Sequence, residues 1–440
     1  MITSETNPVL KSSAEKTCPT RLVIFVGGFD PRGARHYHQL MRAESQKQAM
    51  VCDDRKYVVG KRVTWNSLEA EKSIHSLWNI RQEGLADDSS TDFLFFDWHD
   101  QVRANWPEGR ETVFREALGT YAAIWRLRQW LAPIHEQARF TLWALAYPIA
   151  YAALVLVVGV CLGAVLGDFF ARFFLGGAAG LALMVGALVC WGGFALDRHI
   201  HISWLLRILN FARISSERTF PELEERMEFM AADVARGLRQ GRWREVVVVG
   251  FSVGSVHAVK MTAALRRHLA ANPETAVSDV SVSAQLVNLV TLGNCIPLFG
   301  LFPGARNLRR TLRELALDKS VYWADISSPS DSVCFGMCDV VGLSLREDGL
   351  RTASQASESL SHLGRQAQKA RQWGINPQAV CSPRFHKLFH PTSYRWLRRN
   401  KMRMHFQYLM AGEIAGAYDY FELLSSPGLM RDYIQKKLVR

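Results

Sequence analysis

The run VVVVGFSVGSVHAVKM, Val246 to Met261, sets one serine between two glycines where the residue pattern changes from strand to helix. Val246–Val249 are β-branched and apolar without alternation, which suits a strand covered on both faces. After Gly254 the apolar residues recur at helical spacing. Ser252 therefore sits at a strand-to-helix corner, and Gly250-Phe251-Ser252-Val253-Gly254 fits the pattern G-x-S-x-G. Such a corner strains the backbone, and side chains two positions away on either side would collide, hence glycine at both places. It pushes the hydroxyl outward and aims the Val253 N–H at a developing oxyanion. The chemistry this permits is attack on a carbonyl. It requires a base for the serine proton and an acid to orient that base.

The surrounding elements must bring these groups together. RLVIFVGGFDPRG reads as a strand over Leu22–Val26 that runs into a glycine-rich turn, followed by a helix in ARHYHQLMRAESQKQAM. GKRVTW and TDFLFFDW read as further strands. PELEERMEFMAADVARGLRQG opens with a proline and three glutamates, as a helix N-terminus does. QLVNLVTLG and KSVYWADI are strands, with a helix around RNLRRTLRELAL between them. This β–α alternation predicts an α/β class with a doubly wound, mostly parallel sheet. Residues 1–20 are expected to be a disordered lead, residues 21–440 one domain, and 346–374 a polar surface excursion or lid.

A serine corner of this kind, within that alternation, resembles the α/β-hydrolase superfamily over most of the chain outside the N-terminus and two apolar segments. The resemblance implies a triad in the order nucleophile, acid, histidine. It points to Asp331, in the Ser/Pro turn of VYWADISSPSDSVC, with Asp325 inside the strand as competitor. Among His386, His390 and His405 it points to His405, whose H-x-x-Y is expected to open the last helix. A second oxyanion donor is expected from FVGGFDPRG, either Gly28 or, favoured, the Phe29 N–H. The implied activity is hydrolysis of an ester or thioester, with no metal or organic cofactor. The competing class is a catalytically silent module that recruits a partner at a membrane, since fold alone does not establish activity.

Leu142–Gly167 and Phe173–Leu196 carry no charge, and each exceeds the roughly 20 residues that cross a bilayer. Asp168–Arg172 joins them, predicting a tight transmembrane hairpin over 142–196. Gly159, Gly163 and Gly167 on one segment, and Gly176 and Gly180 on the other, suit close helix packing. Arg126, Arg128 and Arg139 precede the pair and Arg198, Arg207 and Arg213 follow it, which places both flanks, and the catalytic domain, on the cytosolic side.

Lysine and arginine total 53 against 41 acids, a net charge of +12, which suits anionic membranes or phosphorylated ligands. No nucleic-acid-binding signature is present, so an amphiphilic or lipid ester is the expected substrate. The eight cysteines are dispersed without a Cys-x-x-Cys pair, as reduced thiols facing a cytosol would be. His36-x-His38 and His199-x-His201 have metal-compatible spacing but no evident further ligands. The loop Phe96–Trp106 could line the site. Arg384–Arg403 holds seven cations and no acid, immediately before His405.

Overall fold

The computed structural model describes residues 21–439 apart from 53, 66–74, 84–89, 128–130, 174–177, 197–199, 272–286 and 346–376. The expected lead over 1–20, the excursion over 346–374, and Arg128, Arg198 and His199 lie outside the described residues.

Among the described residues nine strands form one mixed sheet: β1 (Arg21–Val26), β2 (Lys56–Val59), β3 (Val63–Thr64), β4 (Ser76–Glu83), β5 (Ser90–Phe96), β6 (Glu245–Phe251), β7 (Val287–Leu292), β8 (Val321–Ile326) and β9 (Ala379–Cys381). Their order is β2-β4-β5-β1-β6-β7-β8-β9, with β3 paired to β4. Pairing is parallel from β5 to β9. It is antiparallel among β2, β3, β4 and β5. The expectation of a mostly parallel sheet missed this antiparallel arm, because Lys56–Val59 is short and Ser76–Glu83 is mixed in polarity.

Alternation along β1 divides the core. Leu22, Ile24 and Val26 join one apolar cluster, while Val23 and Phe25 join the other. The helix Gly33–Val51 after β1 sends Ala34, Tyr37 and Met41 into the second cluster. The helix Gly254–Ala270 after β6 sends Val256, Val259 and Met261 into the first. Helices thus cover both faces, and β1 and β6 are neighbours whose connections leave in opposite directions. That arrangement opens a crevice at the carboxyl ends of the two strands, where ligands bind in open α/β sheets. Val246–Val249 are fully buried, each contributing about 1.5–3 kcal/mol by burial. At the other end of the same strands, Arg21 Nε donates to Glu245 Oε1 at 2.6 Å in a buried ion pair that fixes their register.

The helical stretch Leu131–Phe173, kinked at Ala138 where the backbone leaves helical angles (φ −138), continues through Asp168–Arg172, which the sequence suggests as a turn. Asp168 and Arg172 face each other one helical turn apart and pair at 2.7 Å, so the charges stabilise helix there. Its first part packs on the domain: Ile134, Ala138, Leu142 and Leu145 touch the core, and the Tyr121 hydroxyl donates to Leu145 O. Beyond it Leu154, Val157, Val160 and Val165 face outward. Among the described residues one helix, Ile134–Arg172, is long and apolar enough to cross a membrane by length and composition.

The helix Ala178–Ala195 packs antiparallel along it. A Cβ on Gly163 would stand 2.6 Å from Ala182 O, one on Gly159 3.2 Å from Gly186 O, and one on Gly193 2.7 Å from a Val155 methyl. Of the expected Gly176 and Gly180, the first lies outside the described residues and the second meets nothing within 4 Å; the contact uses Gly186 and Gly193.

Candidate active site

Ser252 follows β6 directly with φ +56, the left-handed region that non-glycine residues avoid. Both flanking glycines are required by contact. A Cβ on Gly250 would stand 2.6 Å from Ala258 Cβ and from Ser255 Cα; one on Gly254 would stand 2.1 Å from Val26 O and 2.4 Å from Gly27 O. The helix after the serine therefore lies hard against the end of β1. Val253 caps that helix, where a first-turn N–H has no intrahelical acceptor.

The loop after β1 lies over the serine. A Cβ on Gly28 would reach within 3.1 Å of Ser252 Cβ. The Asp30 N–H donates to Gly28 O at 2.8 Å, making a tight turn centred on Phe29. The Phe29 ring stacks on Phe211 at 4.4 Å and on Trp106 at 5.4 Å, which fixes the residue by its side chain, and Phe29 lines the cavity. Beneath the loop, Trp98 Nε1–H donates to Gly27 O at 3.0 Å.

Asp331 and His405, 74 residues apart, meet in the interior: His405 Nδ1 lies 2.7 Å from Asp331 Oδ2, with each side chain no more than 2% exposed. Asp331 Oδ1 accepts the Val333 N–H, which aligns the carboxylate. His405 Nε2 is buried without a hydrogen-bond partner. Ser252, His405, Gly28 and Phe29 line one cavity of about 270 Å³, walled also by Trp106, Trp204 and Phe406. Ser252 Oγ faces Cys295 Sγ at 3.9 Å; burial pushes that thiol up to about 12, so it is protonated at neutral pH.

Asp325 stands elsewhere. It is fully buried in β8 and accepts from Thr291 Oγ1, Asn294 Nδ2 and Ser327 Oγ at 2.6–2.8 Å. Burial raises its carboxyl to about 6. Ser327 Oγ accepts the Met337 N–H in turn, so Asp325 organises the loop that carries Asp331 and does not reach His405 itself. His405 lies near the end of the short helix Lys401–Phe406, with the helices Tyr420–Ser425 and Met430–Lys437 still to follow; it does not open the last helix. The Tyr408 hydroxyl accepts the Ser328 N–H, tying the chain after His405 to the loop of Asp331.

The loop Phe96–Trp106 divides its work: Trp106 lines the cavity, while Trp98 is a buried support. Trp204, whose ring lies 6.1 Å from that of His405, had no local signal, since it follows the apolar segments and only the fold returns it to the site. His38 Nε2 sits 2.8 Å from Gly60 O, and among the described residues no group of three His, Cys, Asp or Glu could hold a metal ion. No protein-family model, no curated protein and no solved structure matches this chain at a significant level.

Proposed function

We propose that the protein is a membrane-anchored serine hydrolase of the α/β-hydrolase type that cleaves an ester or thioester of an amphiphile. One observation carries the reading: a buried His405 is oriented by Asp331 and keeps Nε2 unpartnered on the cavity that holds Ser252 at a strained corner. In the reaction, Ser252 Oγ attacks the carbonyl carbon and its proton passes to His405 Nε2. The Val253 and Phe29 N–H groups stabilise the oxyanion. Collapse expels the alcohol or thiol, which takes the proton back from His405 and leaves an acyl-Ser252. Water, deprotonated by His405, then attacks the acyl group; acid is released and Ser252 is reprotonated. Asp331 holds the tautomer with the proton on Nδ1 and stabilises the imidazolium. The segments that carry Gly28, Ser252 and Asp331 follow the carboxyl ends of the parallel strands β1, β6 and β8, and the cavity lies at the β1/β6 reversal.

The anchor rests on composition and exposure. Beyond Tyr151, which packs against the core, the apolar helix continues to Phe173, about 22 residues or roughly 33 Å at 1.5 Å each, against about 30 Å of hydrocarbon. The second apolar helix pairs with it through small residues. Arg126, Arg139, Arg207 and Arg213 cluster in sequence at the domain end, which favours a cytosolic catalytic domain.

The silent-module reading has its own observation: Ser252 Oγ contacts Cys295 Sγ, and no hydrogen bond joins it to His405. Trapping decides between them. Purified protein quenched in acid after mixing with p-nitrophenyl butyrate is expected to carry butyryl on Ser252, seen by peptide mass spectrometry, with none in Ser252→Ala. A well-folded wild type that neither hydrolyses the ester nor acquires the acyl group contradicts the hydrolase.

A further inference from the structure

Beside the catalytic cavity lies a second one, of about 310 Å³, lined by Tyr147, His201, Trp396, Arg399, Asn400 and Lys401. Their linings adjoin along the chain, with no residue common to both. Lys401 and Asn400 face one while Met402 and His405 face the other, and His201 and Trp204 divide between them in the same way. Lys401 and His405 are four residues apart on one helix, hence one turn, about 6 Å, from each other.

Lys401 Nζ sits 4.0 Å from the centre of the Tyr147 ring, on the foot of the long apolar helix. A cation over a ring face is stabilised electrostatically, but the ring neutralises nothing. No described carboxylate pairs with Lys401, Arg398, Arg399 or Arg403, whereas Arg226 pairs with Asp100 and Lys260 with Glu224. Burial alone acts on the Lys401 ammonium and lowers its affinity for the proton. Trp396 in its lining and Trp143, four residues before Tyr147 on the same helix, are both exposed, as interfacial indoles are. A half-buried cation, an arginine at the rim, an aromatic floor and an apolar helix leading away make a receptacle for an anion that carries a hydrocarbon tail.

We infer that this cavity binds the anionic phosphate of a glycerophospholipid whose ester carbonyl reaches Ser252, so that the substrate of the proposed hydrolase is an anionic membrane lipid. The inference rests on the hydrolase reading for the identity of the reacting bond, and on its own geometry for the headgroup. Lys401 and Arg399 hold the phosphate, Tyr147 keeps Lys401 in place, and the tails lie along the exposed apolar helix. One helical turn between the cation and the base sets which ester of the lipid meets the nucleophile.

Native mass spectrometry of the full chain in detergent, with phosphatidate or phosphatidylcholine of equal chain length, tests this directly. Wild type is expected to retain phosphatidate over phosphatidylcholine by about tenfold or more, since a charge-assisted contact is at stake. Lys401→Gln combined with Arg399→Gln removes the preference, and Lys401→Arg preserves it. Equal retention of the two lipids, an unchanged preference in the double variant, or loss in Lys401→Arg as complete as in Lys401→Gln overturns the assignment. Displacement of phosphatidate by inorganic phosphate at equal concentration overturns the lipid as source, because it shows that the tail adds nothing. Fluorophosphonate labelling of the same samples separates the two claims. Label on Ser252 without lipid preference leaves the hydrolase and removes the headgroup site; lipid preference without label does the reverse.

Discussion

Gly28 and Ser252 lie so close that a Cβ on the glycine would stand 3.1 Å from the serine Cβ and 3.5 Å from its Oγ. The loop from β1 is thus in contact with the proposed nucleophile, on the side from which a second oxyanion donor must come. Gly28→Ala pushes loop and serine apart by a few tenths of an ångström and is expected to lower kcat on a soluble ester about 10²-fold, with a small change in Tm. Gly254→Ala behaves differently, because its Cβ would meet backbone, Val26 O at 2.1 Å, which cannot move aside. It is expected to cost about 3 kcal/mol or more of stability, read by denaturant unfolding in detergent. If the two variants lose stability alike, the Gly28 contact is merely structural.

The two buried aspartates separate by readout. Asp331→Asn keeps the shape of the His405 contact but no longer enforces the tautomer, so turnover falls about 10⁴-fold at nearly constant Tm. Asp325→Asn leaves His405 untouched and breaks a network of three donors, so its loss is in stability, about 2–4 kcal/mol. Reversal of these two phenotypes would make Asp325 the acid.

Acid sensitivity follows from buried histidines. His257 packs edge-on against Trp98 at 4.6 Å, finds no hydrogen-bond partner, and is lowered by burial to about 3. His75, accepting the Asp97 N–H, is lowered to about 4, again by burial. Both unfolded groups take up protons near pH 6.5 while the folded ones do not. Stability is therefore full above that pH and lost as pH falls below it, by up to about 1.4 kcal/mol per unit for each group. Asp325 opposes them: its folded value of about 6 lies above its unfolded one, so its contribution rises as pH falls from about 6 toward 4. His257→Leu is expected to flatten the fall in unfolding midpoint between pH 7 and 5. An unchanged slope would mean that His257 is already accessible to protons.

The apolar helices predict retention in membranes through alkaline carbonate and release only by detergent. Gly163→Leu, at a position where a Cβ already meets Ala182 O at 2.6 Å, is expected to part the helix pair and lower Tm in detergent without changing activity on a soluble ester. Recovery of wild type in the carbonate supernatant would remove the anchor.

Legibility of the sequence tracks how local each constraint is. The valine strand, the serine corner and both glycines were readable because strand, turn and helix signals fall within a single run of residues. Asp331 was favoured over Asp325 because one sits in a turn and the other in a strand, and the structure pairs His405 with Asp331. Trp98 and Trp204 were not assignable, since their roles come from packing against Gly27 and His405, which are distant in sequence. The antiparallel arm escaped because β2 and β4 are half-exposed and polar in part, so their pairing with each other, rather than their composition, makes them strands. The supposed turn at Asp168–Arg172 failed for a local reason: the same two charges that suggest a loop also make a helical i,i+4 pair.

Activity-based labelling with a fluorophosphonate tests the central claim most directly, because the probe reacts only with a serine that has a base beside it and donors for the developing oxyanion. The account predicts covalent label on Ser252, mapped by peptide mass spectrometry, abolished in Ser252→Ala and reduced nearly as far in His405→Ala, since such groups act as a unit. Folded wild-type protein that takes no label in detergent or in lipid, or label that maps to another serine and persists in Ser252→Ala, would contradict it.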